Sequence, residues 1–197
     1  MSKYLKYIIT LRYVKLWSYF SAKYLQQVRQ ENHKHRYTYY YGFQVIYGTI
    51  NGFLLLILLG LLFNILPQLL IVTLSFIILR VFAGGLHFDS YTKCAYFSLL
   101  TFLIIGLLAK YIYMPITITI VIFLIIFVLF LLYAPVENKN RPLKGSDKIK
   151  FKLISILLLA ILFFIHLFIN NIVISNSIVY GVLLSGIITL PIINKLK

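Results

Sequence analysis

Residues 115–134 read PITITIVIFLIIFVLFLLYA, twenty positions without a charge. At 1.5 Å per residue a helix of that length covers about 30 Å, the thickness of a bilayer's hydrocarbon core. A helix apolar all round belongs either in lipid or in the heart of a large protein. Five further runs of similar character surround it, at about 43–63, 65–83, 95–113, 153–170 and 172–193. The chain has 197 residues, of which 61% are apolar and 12% charged, against roughly 25% charged in soluble domains. A soluble or disordered chain of this size has nowhere to hide that much apolar surface. The expected fold class is an all-α integral membrane protein with six transmembrane helices.

The punctuation agrees with six spans. Pro67 and Pro115 mark tight turns after the first and third runs, and Asn170 with Asn171 marks the turn after the fifth. The longer connectors, 84–94 and 135–152, are polar. Ahead of the first run, residues 1–42 are basic and aromatic. Leu5, Ile9, Tyr13, Leu16, Trp17, Phe20, Tyr24 and Val28 recur every three to four residues, with Lys3, Lys6, Arg12, Lys15, Lys23 and Arg29 among them. That spacing predicts an amphipathic helix lying in the membrane interface, and Tyr37–Tyr41 an aromatic anchor before the first span. The organisation is thus a basic segment, 1–42, and one six-helix domain, 43–197. The first long apolar run begins too late for a secretory leader.

The formal charge is +15, from 19 basic and 4 acidic residues. In a chain held by lipid, such a balance points to anionic headgroups or an acidic peptide rather than to nucleic acid. With six spans and a cytoplasmic N-terminus, every basic residue except Lys110 falls on or near the cytoplasmic side. The positive-inside rule therefore places both termini and both long connectors in the cytoplasm. A lone cysteine, Cys94, excludes an internal disulfide and a multi-cysteine metal site, and no cofactor motif is present. Gly48-x-x-x-Gly52 and Gly181-x-x-x-Ser185 would let helices approach closely.

The connector after the second run differs from its surroundings. It reads RVFAGGLHFDSYTKC over residues 80–94 and holds the cysteine, one of the four histidines, one of the four acids and a glycine pair. Gly84-Gly85 should end the second helix and turn the chain. A cysteine with a histidine is the minimum for thiolate catalysis, the imidazole taking the thiol proton. On one straight helix His87 and Cys94 would stand about 10.5 Å apart along the axis, too far for a hydrogen bond, so a helix break must lie between them. Asp89 or Ser90 suits an N-cap for a third span. Cys94 then sits in its first turn, where the helix dipole and Lys93 favour a thiolate, and Asp89 is placed to orient the His87 ring. The bland reading stands beside this one: a packed membrane cysteine and a solvated loop histidine. His33 and His35 read as solvated. His166 is given no chemistry.

The motif Arg80-x-x-Ala83-Gly84-Gly85-x-His87, followed by Cys94, resembles the accessory gene regulator B (AgrB) family of membrane cysteine endopeptidases in Gram-positive quorum sensing. Chain length, basic start and basic cytoplasmic connector are similar too. The resemblance implies a bacterial cell-membrane enzyme without cofactor, Cys94 as nucleophile and His87 as general base, with Arg80 and Gly85 in support. It implies a substrate of the AgrD kind, a small pro-peptide with an acidic C-terminal tail. The tail is released through a Cys94 thioester, and the peptide's own thiol or hydroxyl closes a thiolactone or lactone ring. A homodimer is implied as well. Lys139, Arg141, Lys144, Lys148, Lys150 and Lys152 offer the acidic tail a basic partner, and serve equally as ordinary positive-inside charge. Competing readings are a peptide exporter without covalent chemistry, for which no inverted repeat is apparent, and a lipid-modifying enzyme, for which four acidic residues supply too few ligands.

Overall fold

The computed structural model describes residues 12–30, 33–85, 91–136 and 145–190. These form seven helices: α1 Arg12–Val28, α2 His33–Leu62, α3 Leu66–Ala83, α4 Tyr91–Tyr111, α5 Ile116–Tyr133, α6 Gly145–Phe168 and α7 Ile172–Thr189. The six from α2 to α7 are long and apolar enough to cross a membrane, as expected for an all-helical, multi-pass membrane protein. Their large apolar side chains, among them Leu58, Leu100, Leu124, Leu132 and Leu157, point outward. Lipid tails are as apolar as leucine, so outward-facing leucines lose nothing there. Helix association must instead come from close packing and hydrogen bonds.

α7 meets that demand at the centre of the bundle, where it is two-thirds buried. Ser177, Gly181, Ser185 and Thr189 repeat every four residues and form a stripe of small side chains along it. At Gly181 a side-chain carbon would stand 2.7 Å from the Val72 carbonyl and 2.8 Å from Ser75 Cβ, and at Gly186 2.7 Å from Ile126 Cγ1. The missing side chains let α7 reach the backbone of α3 and the face of α5. The hydroxyls cost little, because Ser177, Ser185 and Thr189 donate to Val173, Val182 and Ser185 carbonyls on the same helix. Leu79, Phe123, Ile126, Phe130, Leu159 and Val179 fill the space between α3, α5, α6 and α7.

Several helices begin earlier than apolarity alone indicates. α2 starts at His33, so the aromatic stretch Tyr37–Tyr41 is its first turns and the helix runs unbroken through residue 42. α6 starts at Gly145, which turns half of the basic connector into helix. Pro67 lies in the first turn of α3 and Pro115 is the N-cap of α5. Asn171 caps α7, its side chain accepting from the Val173 and Ile174 amides, which satisfies two of the helix's orphan donors.

α1 runs back antiparallel along the first half of α2. Its buried stripe is Val14, Ser18, Ala22 and Gln26, while Leu16, Trp17, Phe20 and Tyr24 are all more than half exposed. Tyr13 donates to Asn51 Oδ1, the Ser21 and Tyr47 hydroxyls pair at 2.8 Å, and Arg29 reaches the Tyr39 hydroxyl. Of the predicted face, Leu5 and Ile9 lie outside the described residues, Tyr13 turns toward α2, and Leu16, Trp17, Phe20, Tyr24 and Val28 look away from the protein. Gly52, second of the glycine pair on α2, has nothing within 4 Å of its place for a side chain.

Because successive spans alternate in direction, the bundle has two distinct ends. At one end the last carbonyls of α4 are received by α7: Asn176 Nδ2 donates to Ala109 and Ile112, and the Tyr180 hydroxyl to Ile112. Lys110 caps the Asn64 carbonyl there at 3.0 Å. The other end gathers the C-termini of α3, α5 and α7 with the N-termini of α4 and α6, and Cys94 lies there.

Candidate active site

Arg80 sits one turn before the end of α3 with its guanidinium 5.6 Å above the Phe76 ring. A planar delocalised cation suits that seat, since the ring face attracts it while the stem stays in apolar surroundings. α3 then stops at Ala83, and the Gly84 amide closes the last turn on the Arg80 carbonyl at 3.0 Å. Gly84 has φ +75° with ψ −152°, and Gly85 has φ +130°, values essentially restricted to glycine. The glycine pair therefore ends the helix as expected.

What holds the turn comes from elsewhere in the chain. Val136, three residues past α5, donates its N–H to the Ala83 carbonyl at 2.9 Å and pairs with Gly84 as an isolated parallel bridge. On the other side a carbon on Gly85 would lie 2.6 Å from Ile188 Cγ2 and 3.0 Å from Arg80 Nη1. Neither Val136 nor Ile188 carries a local sequence signal. Their roles arise from contacts made across the bundle.

α3 ends at Ala83 and α4 is described from Tyr91 onward; residues 86–90, where the break between His87 and Cys94 is expected, lie outside the described residues. Cys94, half-buried, lies in the first turn of α4. The free N–H groups and positive dipole end of a helix gather there. The Arg80 guanidinium is within electrostatic reach of the Cys94 sulfur, and both residues lie at the same end of the bundle. His87 and Asp89 lie outside the described residues.

The basic connector divides into three. Lys139, Arg141 and Lys144 lie outside the described residues. Lys148 and Lys150 are exposed on the first turns of α6. Lys152 is half-buried and donates from Nζ to the Leu131 carbonyl at 2.8 Å, where a cation suits the last turn of α5. Phe82 and Phe151 meet at 5.9 Å and pack the start of α6 against the end of α3.

His166 lies at the far end, away from Cys94. Its Nδ1 is 2.8 Å from Ser175 Oγ, its Nε2 is 3.2 Å from Thr119 Oγ1, and its ring stacks on Phe123. The Thr119 hydroxyl already donates to the Ile116 carbonyl at 2.8 Å. It can therefore only accept from the imidazole, which assigns the proton to Nε2 and leaves Nδ1 to accept from Ser175. The residue is a polar tie between α5, α6 and α7. Next to α1, Tyr13 carries a phenol pushed above its usual range by burial first and by the neighbouring Tyr96 phenol second.

Residues 15–190 match the family model described as Accessory gene regulator B. Among curated proteins the chain is 32% identical over 117 residues to an AgrB-like protein 2 of Clostridium perfringens strain 13, covering 56% of this chain and 55% of that one. It is 30% identical over 112 residues to an AgrB-like protein of Clostridium acetobutylicum, covering 55% and 54%. The chain thus spans about half the length of the curated relatives it matches. No solved structure matches it.

Proposed function

Because the chain belongs to the accessory gene regulator B family, we propose that it is a membrane cysteine endopeptidase that trims and cyclises a small quorum-sensing pro-peptide. The observation that carries the reading is the seat of the only thiol. Cys94 stands in the first turn of α4, within electrostatic reach of the Arg80 guanidinium and seven residues after His87 in the sequence. A cation and a helix N-terminus both offer counter-charge to an anionic sulfur.

In this mechanism His87 takes the Cys94 proton and the sulfur attacks the carbonyl carbon ahead of the peptide's tail. A C–S bond forms, the C–N bond breaks, and the leaving amine takes the proton from the His87 imidazolium. Asp89 orients that imidazole. The thioester is then attacked by a thiol or hydroxyl within the peptide. A new C–S or C–O bond closes the ring, the acyl carbon's bond to the Cys94 sulfur breaks, the attacking group's proton goes to that sulfur, and the enzyme is regenerated. No water enters, so ring plus released tail must equal the intact precursor in mass. Thioester exchange between thiols is close to neutral in energy, which removes any need for ATP.

The acidic tail of an AgrD-like substrate meets Lys139, Arg141, Lys144, Lys148 and Lys150, with Lys152 anchored to α5. Both termini and this basic face are cytoplasmic by the distribution of charge, in a bacterial cell membrane. A homodimer belongs to the same reading; the open surroundings of Gly52 leave one face of α2 available for it. The test is co-expression with the pro-peptide and mass spectrometry of the products. Wild type should yield a ring and a tail whose masses sum to the precursor, while Cys94→Ala and His87→Ala leave precursor intact. Processing in both variants would overturn the mechanism, and a product heavier by one water would replace cyclisation with simple hydrolysis.

A further inference from the structure

The glycine turn cannot hold itself. Glycine visits positive and negative φ with nearly equal ease, so Gly84 and Gly85 do not fix their own backbone angles. Two residues from other parts of the chain remove that freedom. The Val136 N–H binds the Ala83 carbonyl at 2.9 Å, and its own carbonyl lies 2.4 Å from where a carbon on Gly84 would stand. Ile188, 8% exposed near the end of α7, closes the other side, with Cγ2 2.6 Å and its carbonyl 3.0 Å from the place of a carbon on Gly85. Ala83 and Ala134, on the flanks of this bridge, are 1% and 4% exposed.

We infer that Val136 and Ile188 are positioning residues for the thiol chemistry: together they fix the direction in which the chain leaves Gly85, two residues ahead of His87. This rests on the proposed pairing of His87 with Cys94. A base must come within about 3 Å of the proton it takes, and a small rotation at a glycine pair moves a side chain two residues on by more than that tolerance. Val136 and Ile188 touch none of the reacting atoms. They act through the Gly84-Gly85 backbone, and the ends of α5 and α7 supply the rigidity that the turn lacks.

Cys94, as the sole cysteine, makes the inference testable without substrate. The full chain in detergent is alkylated with iodoacetamide between about pH 5 and pH 9, across the histidine and thiol ranges, and the rate is followed by intact mass. The wild-type profile should carry a histidine-controlled step as well as the thiol step, and His87→Ala should lose the former. Ile188→Ala removes the Cγ2 contact, and Val136→Pro removes the N–H donor. Both should move toward the His87→Ala profile, with the rate near pH 6.5 falling about tenfold, since a free thiol is only about 1% ionised there. Ile188→Val keeps Cγ2, Val136→Ala keeps the donor, and both should retain the wild-type profile. A merely structural role would lower yield or melting temperature but leave the profile of the folded fraction unchanged. Wild-type profiles in Ile188→Ala and Val136→Pro would overturn the inference. If Val136→Pro fails to insert, the Ile188→Ala and Ile188→Val pair decides alone. If His87→Ala itself keeps the wild-type profile, the His87–Cys94 pairing falls first and the positioning role with it.

Discussion

Replacing Gly84 by alanine should be far more damaging than replacing Gly42, although both add one methyl group. At Gly84 the backbone sits at φ +75° and ψ −152°, and forcing a residue with a side chain there costs about 1–3 kcal/mol. The added carbon would also meet the Val136 carbonyl oxygen at 2.4 Å. That oxygen is backbone and cannot rotate aside, so either the overlap persists, at about 1–3 kcal/mol, or the bridge opens and the Val136–Ala83 hydrogen bond is lost. The total is roughly 2–6 kcal/mol. Gly42 is exposed in α2 with nothing within 4 Å, and alanine there should gain about 0.5–1 kcal/mol of helix propensity. Thermal melting of both variants in the same detergent measures the contrast. At roughly 2–4 °C per kcal/mol for a chain of this size, Gly84→Ala should melt about 4–24 °C lower and Gly42→Ala slightly higher than wild type. A Gly84→Ala protein melting with wild type would refute the claim that the bridge holds the turn.

Other predictions follow from the two ends of the bundle and from α1. His166→Ala should lower stability by about 1–3 kcal/mol by stranding the Ser175 hydroxyl, measured by the same melts, with Cys94 alkylation unchanged; a loss of alkylation would tie the far end to the chemistry. Trp17, the only tryptophan, faces away from α2, so its fluorescence should be quenched by brominated lipid chains more than by aqueous iodide, and the reverse would place α1 in water. Tyr13 holds its proton more tightly folded than unfolded, so its contribution to stability should be complete below pH 10.0 and lost as pH rises through the higher folded value; melts of wild type and Tyr13→Phe should then converge only in strong alkali. Lys148→Gln with Lys150→Gln should raise the KM for a pro-peptide at low salt and change little at high salt, where exposed charges are screened; a salt-independent effect would argue against docking of the tail.

The spans and the turn could be read from the sequence because the signals for them are local. Twenty uncharged residues in a chain too small to bury them need lipid, and Gly84-Gly85 announces a backbone that other residues avoid. Helix starts were less legible, because Tyr37–Tyr41 and the stretch from Gly145 to Lys152 are polar without containing anything that breaks a helix. Polarity ended the predicted spans where the helices do not end. On α1 the aromatic period was real, yet the packing face proved to be Val14, Ser18, Ala22 and Gln26, since helices beside lipid associate through small side chains rather than through their most apolar ones. Gly181 and Ser185 do allow a close approach, but to α3 of the same chain. Val136 and Ile188 could not be found from local pattern, as each acts on a turn more than fifty residues away.

The thioester mechanism requires a covalent bond between Cys94 and the peptide. A pro-peptide whose ring-forming residue is replaced by alanine cannot release the enzyme by cyclising, so intact mass spectrometry of the chain after mixing should show an adduct equal to the peptide without its tail. Peptide mapping should place that adduct on Cys94, and Cys94→Ala should carry none. Tail release with no adduct on wild type, together with tail release by Cys94→Ala, would contradict the thioester mechanism.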